Sequence, residues 1–375
     1  MAKEKLPSNI TRRKDMRLYG RFRYQGETYE LYRDKDYNPK KLKKELDALR
    51  YEIEHGLKGK QTTLKLNDLF EIWIKDYKVN NKQGCLQTYV HVYNTMIKSQ
   101  MGNKKVNDIN HNHIQSFING LKENYSLSRI KLAHVVLSSM FEVAIINNWI
   151  VRNPTKKIQF PKEIKKERRV MSKEEQELFL KFAMSSNYYD LYVVSLYTGM
   201  RIGEILGLQW DDIDFEKNNI HVSGTLTYIR GRGRIKDLPK SESSNRTIPM
   251  LSNVMCVFRA RRNRQLKMKL ALGEIYKEQG YVFTCESGEP YWDTSIRVDM
   301  KRIIKEINES DIEFAPITPH TFRHTFATRC LEMGVKPKVL QKIMGHSQFA
   351  ITMDLYGHVL EEEKENELQK LESII

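Results

Sequence analysis

The second half of the chain contains three separated clusters of side chains that can bind an anion or transfer a proton. The first is TGMRIGEILGL (residues 198–208), where Arg201 follows a glycine turn and opens an otherwise apolar helix. An arginine in this setting either forms a salt bridge, here with Glu204 three residues on, or is directed at an external anion. The residues around Arg201 leave both alternatives open.

The other two clusters add a lysine, two histidines, an arginine and a tyrosine. The second, PKSESSNRTIP (residues 239–249), places Lys240 at a turn between strands, with Lys236 nearby. Taken alone, Lys240 is an unremarkable surface residue. The third cluster spans TPHTFRHTFA (318–327), MGHS (344–347) and MDLYGH (353–358), and its side chains with acid–base or anion-binding chemistry are His320, Arg323, His346 and Tyr356.

A zinc site is not indicated by these histidines. His320 and His324 are four residues apart, as in the HExxH motif, but Thr321 stands where that motif requires a glutamate. The cysteines are far apart and have no CxxC spacing: Cys85, Cys256, Cys285 and Cys330. We therefore predict no metal site, no disulfide framework and no cofactor.

Taken together, the three clusters closely resemble the catalytic domain of the tyrosine recombinases, also called the phage integrase family. The resemblance spans roughly residues 170–358, and residues 62–160 also look like the helical core-site-binding domain of that family. The positions that match the family's catalytic set are Arg201 (TGxRxxE), Lys240 (the hairpin lysine), His320 and Arg323 (HxxR), His346 (LGH) and Tyr356 (the nucleophile). Lys236 competes with Lys240 for the lysine position.

The resemblance implies a metal-free phosphoryl transfer on DNA. The hydroxyl of Tyr356 would attack a phosphodiester and form a covalent 3′-phosphotyrosyl intermediate, which keeps the bond energy and needs no ATP. Arg201 and Arg323 would donate to the non-bridging oxygens, where bidentate guanidiniums suit the developing charge.

The remaining roles that the resemblance implies are proton transfers and a hydrogen bond. Lys240 would protonate the departing 5′ oxygen, His320 would assist proton transfer at Tyr356, and His346 would hydrogen-bond the phosphate. His324 and His358 are interpreted as structural residues or supports of this set.

Charge is distributed unevenly along the chain. The formal net charge is +16, and residues 1–160 hold 30 Lys+Arg against 16 Asp+Glu, so +14 of it lies there. A basic N-terminal part followed by a near-neutral C-terminal part predicts that the N-terminal part binds a polyanion, DNA or RNA. The alternative is that its lysines form only a solvated surface.

Residues 1–60 are predicted to form a three-stranded sheet backed by one helix. Residues 17–32 alternate apolar and polar side chains around Gln25-Gly26, and Asn38-Pro39 is typical of a helix start. This domain resembles the arm-site-binding domain of integrases from temperate phages and integrative conjugative elements. Its candidate DNA contacts are arginines that could lie in a major groove or simply face solvent: Arg12, Arg13, Arg17, Arg21 and Arg23.

The fold class predicted for the whole chain is multidomain, mainly α with small β-sheets. The arm-site domain (1–60) precedes a helical, SAM-like core-site domain (61–160), whose apolar residues recur at i, i+3 and i+4. A basic linker (161–170) leads to an α+β catalytic domain (171–358), opened by the Ser172–Glu175 capping box. The acidic tail (359–375) is interpreted as a helix that docks on a neighbouring protomer or on its own domain.

The function implied is that of a site-specific recombinase that integrates and excises a mobile element or prophage. The expected partners are double-stranded DNA with arm-type and core-type sites, a homotetramer, an excisionase and a host DNA-bending protein. No apolar run is long enough to cross a membrane and the N-terminus has no signal peptide, so a bacterial cytoplasmic protein is expected. The alternatives are a Xer-like chromosome-dimer resolvase, a type IB topoisomerase and a non-enzymatic DNA-binding regulator.

Overall fold

The structure is a computed structural model that describes residues 6–24, 26–55, 63–162, 169–229, 231, 233–237, 245–350 and 352–353. The chain forms two compact units, Met1–Lys165 and Lys166–Ile375. Two of the predicted catalytic residues, Lys240 and Tyr356, and the tail 359–375 lie outside the described residues. The finer domain bounds stay a prediction.

A small sheet with one helix opens the first unit, as predicted. Its antiparallel strands, in the order β1-β2-β3, are β1 (Ile10–Arg12), β2 (Leu18–Tyr24) and β3 (Glu27–Arg33). Side chains of β2 alternate, so that Leu18 and Phe22 are buried while Arg21 and Arg23 are exposed. Helix α1 (Pro39–Glu54) covers the buried face with Leu42, Leu46, Leu49 and Ile53.

Residues 63–162 of the first unit are mainly helical, with an apolar core of their own. Its elements are α2 (Leu66–Ile72), α3 (Gln83–Val92), α4 (Lys98–Met101), α5 (His111–Gly120) and α6 (Leu127–Ile146), with a short 3-10 turn at Val106–Asp108. Two π-helical turns, Trp73–Tyr77 and Tyr93–Ile97, continue α2 and join α3 to α4. The helical segments predicted for this region are therefore present, in agreement with the predicted fold class.

The second unit mixes helices with short antiparallel strands. Its helices are α7 (Lys173–Ala183), α8 (Tyr189–Thr198), α9 (Ile202–Leu206), α10 (Ser252–Leu272), α11 (Asp293–Asn308), α12 (Pro319–Glu332) and α13 (Pro337–Met344), with 3-10 turns at Trp210–Asp212 and Gly273–Ile275. Its strands are β4 (Ile213–Asp214), β5 (Asn219–Val222), β6 (Thr225–Ile229), β7 (Gly233–Asp237) and β8 (Arg246–Pro249), paired as β4-β5-β8 and β6-β7.

Helix α8 runs through the core of this unit. Nearly every side chain of α8 is buried, and both α10 and α12 pack against it. Helix α7 begins at the predicted capping box, where the Ser172 hydroxyl accepts from the backbone N–H of Glu175 (3.1 Å) and the Glu175 carboxylate accepts from that of Ser172 (2.8 Å). None of the helices in the described part of the chain is both long and apolar enough to cross a membrane.

Candidate active site

Arg201 is placed by the sharp turn between α8 and α9. Helix α8 ends at Gly199, whose φ of 61° is left-handed and where a Cβ would collide with the ring of Phe326. Arg201 caps α9 in an extended conformation, and its backbone N–H donates to Glu204 Oε2 (2.9 Å) while its Nη1 donates to Oε1 (2.8 Å). Its side chain is nevertheless 39% exposed. The arginine is thus salt-bridged and still accessible to an external anion.

Glu204 is a buried carboxylate held by two arginines. Besides Arg201, it accepts from Arg246 of β8, with Nη1 at 3.1 Å from Oε1 and Nη2 at 2.9 Å from Oε2. Burial by itself raises the pKa of Glu204, but the hydrogen bonds and charge of Arg246, followed by those of Arg201, outweigh it and lower that pKa to about 2. The carboxylate is therefore ionised at neutral pH.

Arg323 lies on α12, and its guanidinium bridges two turns of the chain. Its Nη1 donates to the carbonyl of Gly199 (2.6 Å) and its Nη2 to that of Met344 (2.5 Å). Burial, and then the charge of Arg201, lower the pKa of Arg323 to about 9. The side chain thus stays charged at neutral pH, beside a second arginine whose Nη2 reaches the carbonyl of Gly345 (3.3 Å).

The two histidines of the set face the same positive charges. His346 follows Gly345, the left-handed cap of α13, and its Nδ1 lies 2.9 Å from the buried hydroxyl of Thr352. Burial, and then the charge of Arg323, lower the pKa of His346 to about 4. The pKa of His320 is lowered as well, through partial desolvation of its ring and then the charge of Arg323. Both imidazoles are therefore neutral near pH 7 in the free protein.

The structure thus brings together four of the six predicted catalytic residues. Arg323 binds the carbonyls of Gly199 and Met344, and Arg201 binds that of Gly345, so both arginines are fixed relative to the turns that carry Arg201 and His346. His320 precedes Arg323 by one turn of α12. The assembled side chains present positive charge and neutral imidazoles, an arrangement suited to binding a phosphodiester and moving a proton nearby.

Lys236, the competing lysine, has a structural environment. Its Nζ donates to Asp212 Oδ2 (2.8 Å) and to Gln209 Oε1 (3.0 Å), and the Asp212 carboxylate is buried. Ser223 donates to the other oxygen of Asp212 (2.6 Å). Lys236 therefore ties the β6–β7 hairpin to the 3-10 turn at Trp210–Asp212.

Arg246 was not singled out from the sequence as part of the site. The signal that could have found it is strand alternation, since Arg246 and Ile248 share the buried side of β8 while Thr247 is exposed. An arginine at an inward-facing strand position requires a buried acceptor. Here that acceptor is Glu204.

The histidine pair raised as a zinc alternative shows no metal geometry. The rings of His320 and His324 are 6.5 Å apart between centroids. Over the described ranges, no three His, Cys, Asp or Glu side chains converge as metal ligands would.

The N-terminal arginines divide between the two sides of the sheet. Arg21 and Arg23 are exposed on the face opposite α1, and Arg13 stacks on the Tyr32 ring there (4.8 Å). Arg12, by contrast, is paired with Leu18 on the other side and donates to the carbonyl of Lys35 (3.0 Å). Arg17 is exposed at the turn before β2 and lies 3.8 Å from Asp15.

The lowered pKa of His346 should make the folding stability of the protein depend on pH. With a pKa near 4 in the folded protein, His346 binds fewer protons there than in the unfolded chain between about pH 6.5 and 4. The free energy of unfolding therefore falls as the pH is lowered through that window, and His346 accounts for at most about 3 kcal/mol of the fall. We expect the free energy of unfolding of His346→Gln to fall less steeply over that window than that of the wild type. Chemical denaturation at each pH measures this, with the exposed His221→Gln as the control that keeps the wild-type slope. Parallel curves for all three proteins would contradict the neutral, buried state of His346.

Comparison with known proteins gives consistent matches over most of the chain. Residues 169–363 match the model of the phage integrase family, and residues 65–122 match that of the phage integrase N-terminal SAM-like domain. A tyrosine recombinase XerC-like protein of Caldanaerobacter subterraneus subsp. tengcongensis is 31% identical, covering 89% of this chain and 90% of its own. The ICEBs1 integrase of Bacillus subtilis is 25% identical, covering 88% and 89%.

A solved structure is similar as well. The Tn1549 transposon integrase, in complex with transposon right end DNA, has a TM-score of 0.72 and 27% identity, covering 82% of this chain and 99% of that chain.

Proposed function

The chain belongs to the phage integrase family, whose members are DNA cleaving and rejoining enzymes, and we propose that it does this chemistry with Tyr356 as nucleophile. The observation that carries the proposal is the convergence of Arg201, Arg323 and His346 on shared backbone turns. Two arginines and a histidine that converge in this way support a site for one phosphodiester.

The proposed step is a transesterification at phosphorus. The oxygen of Tyr356 forms a bond to phosphorus while the bond to the 5′ oxygen breaks, and the free 5′-hydroxyl of a partner strand later reverses the step. Arg201 and Arg323 stabilise the charge on the non-bridging oxygens. His320, neutral near pH 7, accepts the tyrosine proton, and neutral His346 donates a hydrogen bond to the phosphate.

Lys240 is the proposed general acid that protonates the departing 5′ oxygen. The contacts of Lys236 support this choice, since its ammonium is bound to the buried carboxylate of Asp212. An ammonium whose hydrogen bonds are directed at Asp212 and Gln209 is poorly placed to give its proton to DNA.

The proposed role is integration and excision of a mobile element or prophage. The named relatives support it, because the ICEBs1 and Tn1549 proteins are integrases and the latter was solved on transposon DNA. A Xer-like resolvase is the second candidate, favoured by the XerC-like relative. Recombination between the ends of the surrounding element distinguishes integration from chromosome-dimer resolution, and relaxation of any supercoiled plasmid would instead indicate a topoisomerase.

The proposed partners follow from that role. We expect a homotetramer on DNA in the bacterial cytoplasm, with residues 1–60 on arm sites and residues 61–160 on core sites, assisted by an excisionase and a host DNA-bending protein. The exposed Arg13, Arg21 and Arg23 support arm-site contact, because they share the open face of the sheet. The tail 359–375 is proposed to dock on a neighbouring protomer.

The function is tested with a nicked duplex taken from the ends of the surrounding element. After cleavage the short fragment diffuses away, so the protein stays on the labelled strand. We expect the full chain to form an SDS-resistant, protease-sensitive adduct in EDTA and without ATP. Absence of any adduct on the element's own ends, with binding intact, would overturn the proposal.

Deleting residues 1–60 should separate the two DNA-binding activities. The first 160 residues carry +14, of which +7 lies in the deleted part, so arm-site affinity should be lost while core-site footprints persist. Footprinting on a fragment that contains both sites measures this. Unchanged arm footprints would remove the role proposed for the first domain.

A further inference from the structure

Arg246 is a fully engaged, buried arginine that no step of the proposed chemistry uses. Its side chain is 6% exposed and its guanidinium makes three contacts, two with the oxygens of Glu204 (3.1 and 2.9 Å) and one from Nε to the carbonyl of Ile343 (2.6 Å). It therefore connects β8 with α9 and with the last turn of α13. These are the elements that carry Arg201 and lead to His346.

The carboxylate of Glu204 is shared between Arg246 and the candidate anion-binding residue. Each of its oxygens accepts one hydrogen bond from Arg246 and one from Arg201, the latter through Nη1 (2.8 Å) and the backbone N–H (2.9 Å). A planar guanidinium that binds both oxygens fixes the plane of a carboxylate. The two hydrogen bonds from Arg246 therefore fix the Glu204 carboxylate, which in turn orients the Arg201 side chain.

The formal charges of Arg201, Glu204 and Arg246 also indicate that Arg246 prepares Arg201 to bind an anion. If Glu204 were paired with Arg201 alone, its negative charge would cancel the positive charge of Arg201 that a phosphate would bind. With Arg246 paired to Glu204, the group formed by Arg201, Glu204 and Arg246 has a formal charge of +1, and the side chain of Arg201 is still 39% exposed. Arg246 thereby leaves the charge of Arg201 available to a substrate.

We propose that Arg246 is a positioning residue for DNA cleavage, which acts by holding Glu204 so that Arg201 points at the scissile phosphate. It does not touch the substrate. The proposal rests on the proposed function, because it assigns Arg246 to the same site. A displacement of about 1 Å at a reacting centre is enough to slow a reaction about 100-fold.

The test is Arg246→Lys in the full chain, with cleavage of the nicked duplex measured at saturating protein. One ammonium keeps the charge but cannot occupy the three acceptors in one plane. We expect core-site affinity within about threefold of wild type and a cleavage rate about 100-fold lower. The matched control is Arg261→Lys, an equally buried arginine of this unit that bonds Val282, Thr284 and Tyr291. It should lose thermal stability and keep its cleavage rate.

A double-mutant cycle separates positioning from general stability. If Arg246 acts through Arg201, then Arg246→Lys costs little further rate in an Arg201→Lys background, whereas a purely structural residue gives multiplied losses. Multiplied losses, or an Arg246→Lys rate equal to that of Arg261→Lys, would overturn the proposal.

A second variant covers the case in which Arg246→Lys does not fold. The pair Glu204→Gln with Arg246→Met removes both charges and leaves no unpaired buried ion, so it should fold and cleave as slowly as Arg246→Lys is expected to. Wild-type cleavage by that pair would refute the positioning role. Failure of the wild type to form any adduct would instead refute the proposed function, so the two failures are distinguishable.

Discussion

Tyr356→Phe should bind DNA from the element ends as the wild type does and form no covalent adduct. The substitution removes one oxygen, the atom proposed to form the bond to phosphorus, and adds no bulk or charge. Loss of a nucleophile typically lowers turnover by about a millionfold, which puts the adduct below detection. The measurement is the SDS-resistant band on the nicked duplex, together with a gel-shift titration on intact core DNA.

A matched control tests whether position rather than residue type matters, since the chain has 19 tyrosines. Tyr228 is exposed on the β6–β7 hairpin of the same unit, so Tyr228→Phe should give a wild-type yield of adduct. An adduct from Tyr356→Phe would end the assignment of the nucleophile. Mapping the modified peptide would then identify the tyrosine that replaces it.

The fold class was accessible from the sequence because its signals are local. Alternation along β2 and the Asn38-Pro39 start of α1 each depend on a few neighbouring residues. The π turns at Trp73–Tyr77 and Tyr93–Ile97 were not predicted. A π turn adds one residue to a single helical turn. It therefore shifts the apolar positions by one residue, which is too small a change to alter the 3.6-residue periodicity of a whole helix.

The site was accessible in a different way. Arg201, Arg323 and His346 were assigned through the family resemblance of short motifs, because nothing in their own spacing brings Arg201 close to two residues more than 100 positions later. Arg246 is 42 residues from its partner Glu204, and no periodic pattern reports such a pair. The two interpretations of Arg201 that the sequence left open prove compatible, since the arginine pairs with Glu204 and still reaches solvent.

Arg201→Lys should lower the cleavage rate by about 10²- to 10³-fold with little change in core-site affinity, a loss of the size seen when one preorganised donor is removed from a charged transition state. The guanidinium of Arg201 donates from Nη1 to Glu204 (2.8 Å) and from Nη2 to the carbonyl of Gly345 (3.3 Å). An ammonium at this position would pair with the buried carboxylate and could not keep both contacts while also reaching a phosphate oxygen. Single-turnover cleavage of the nicked duplex and a binding titration measure the two effects separately.

A comparison with Arg201→Ala decides whether the planar geometry of the guanidinium or its charge accounts for the lower cleavage rate of Arg201→Lys. Lysine retains the positive charge, so equal rates for the two variants would assign the whole effect to the guanidinium's fixed plane, whereas a much faster lysine variant would assign it to charge. Arg302→Lys is the control, because Arg302 is an exposed arginine of α11 that also bonds nearby acids, Asp299 (2.8 Å) and Glu306 (2.6 Å), and it should cleave at the wild-type rate. A rate for Arg201→Lys within about threefold of wild type would place the anion-binding role elsewhere, since a donor aimed at the transition state does not tolerate this change. Arg323, the other arginine of the predicted catalytic set, would then be the residue that carries it.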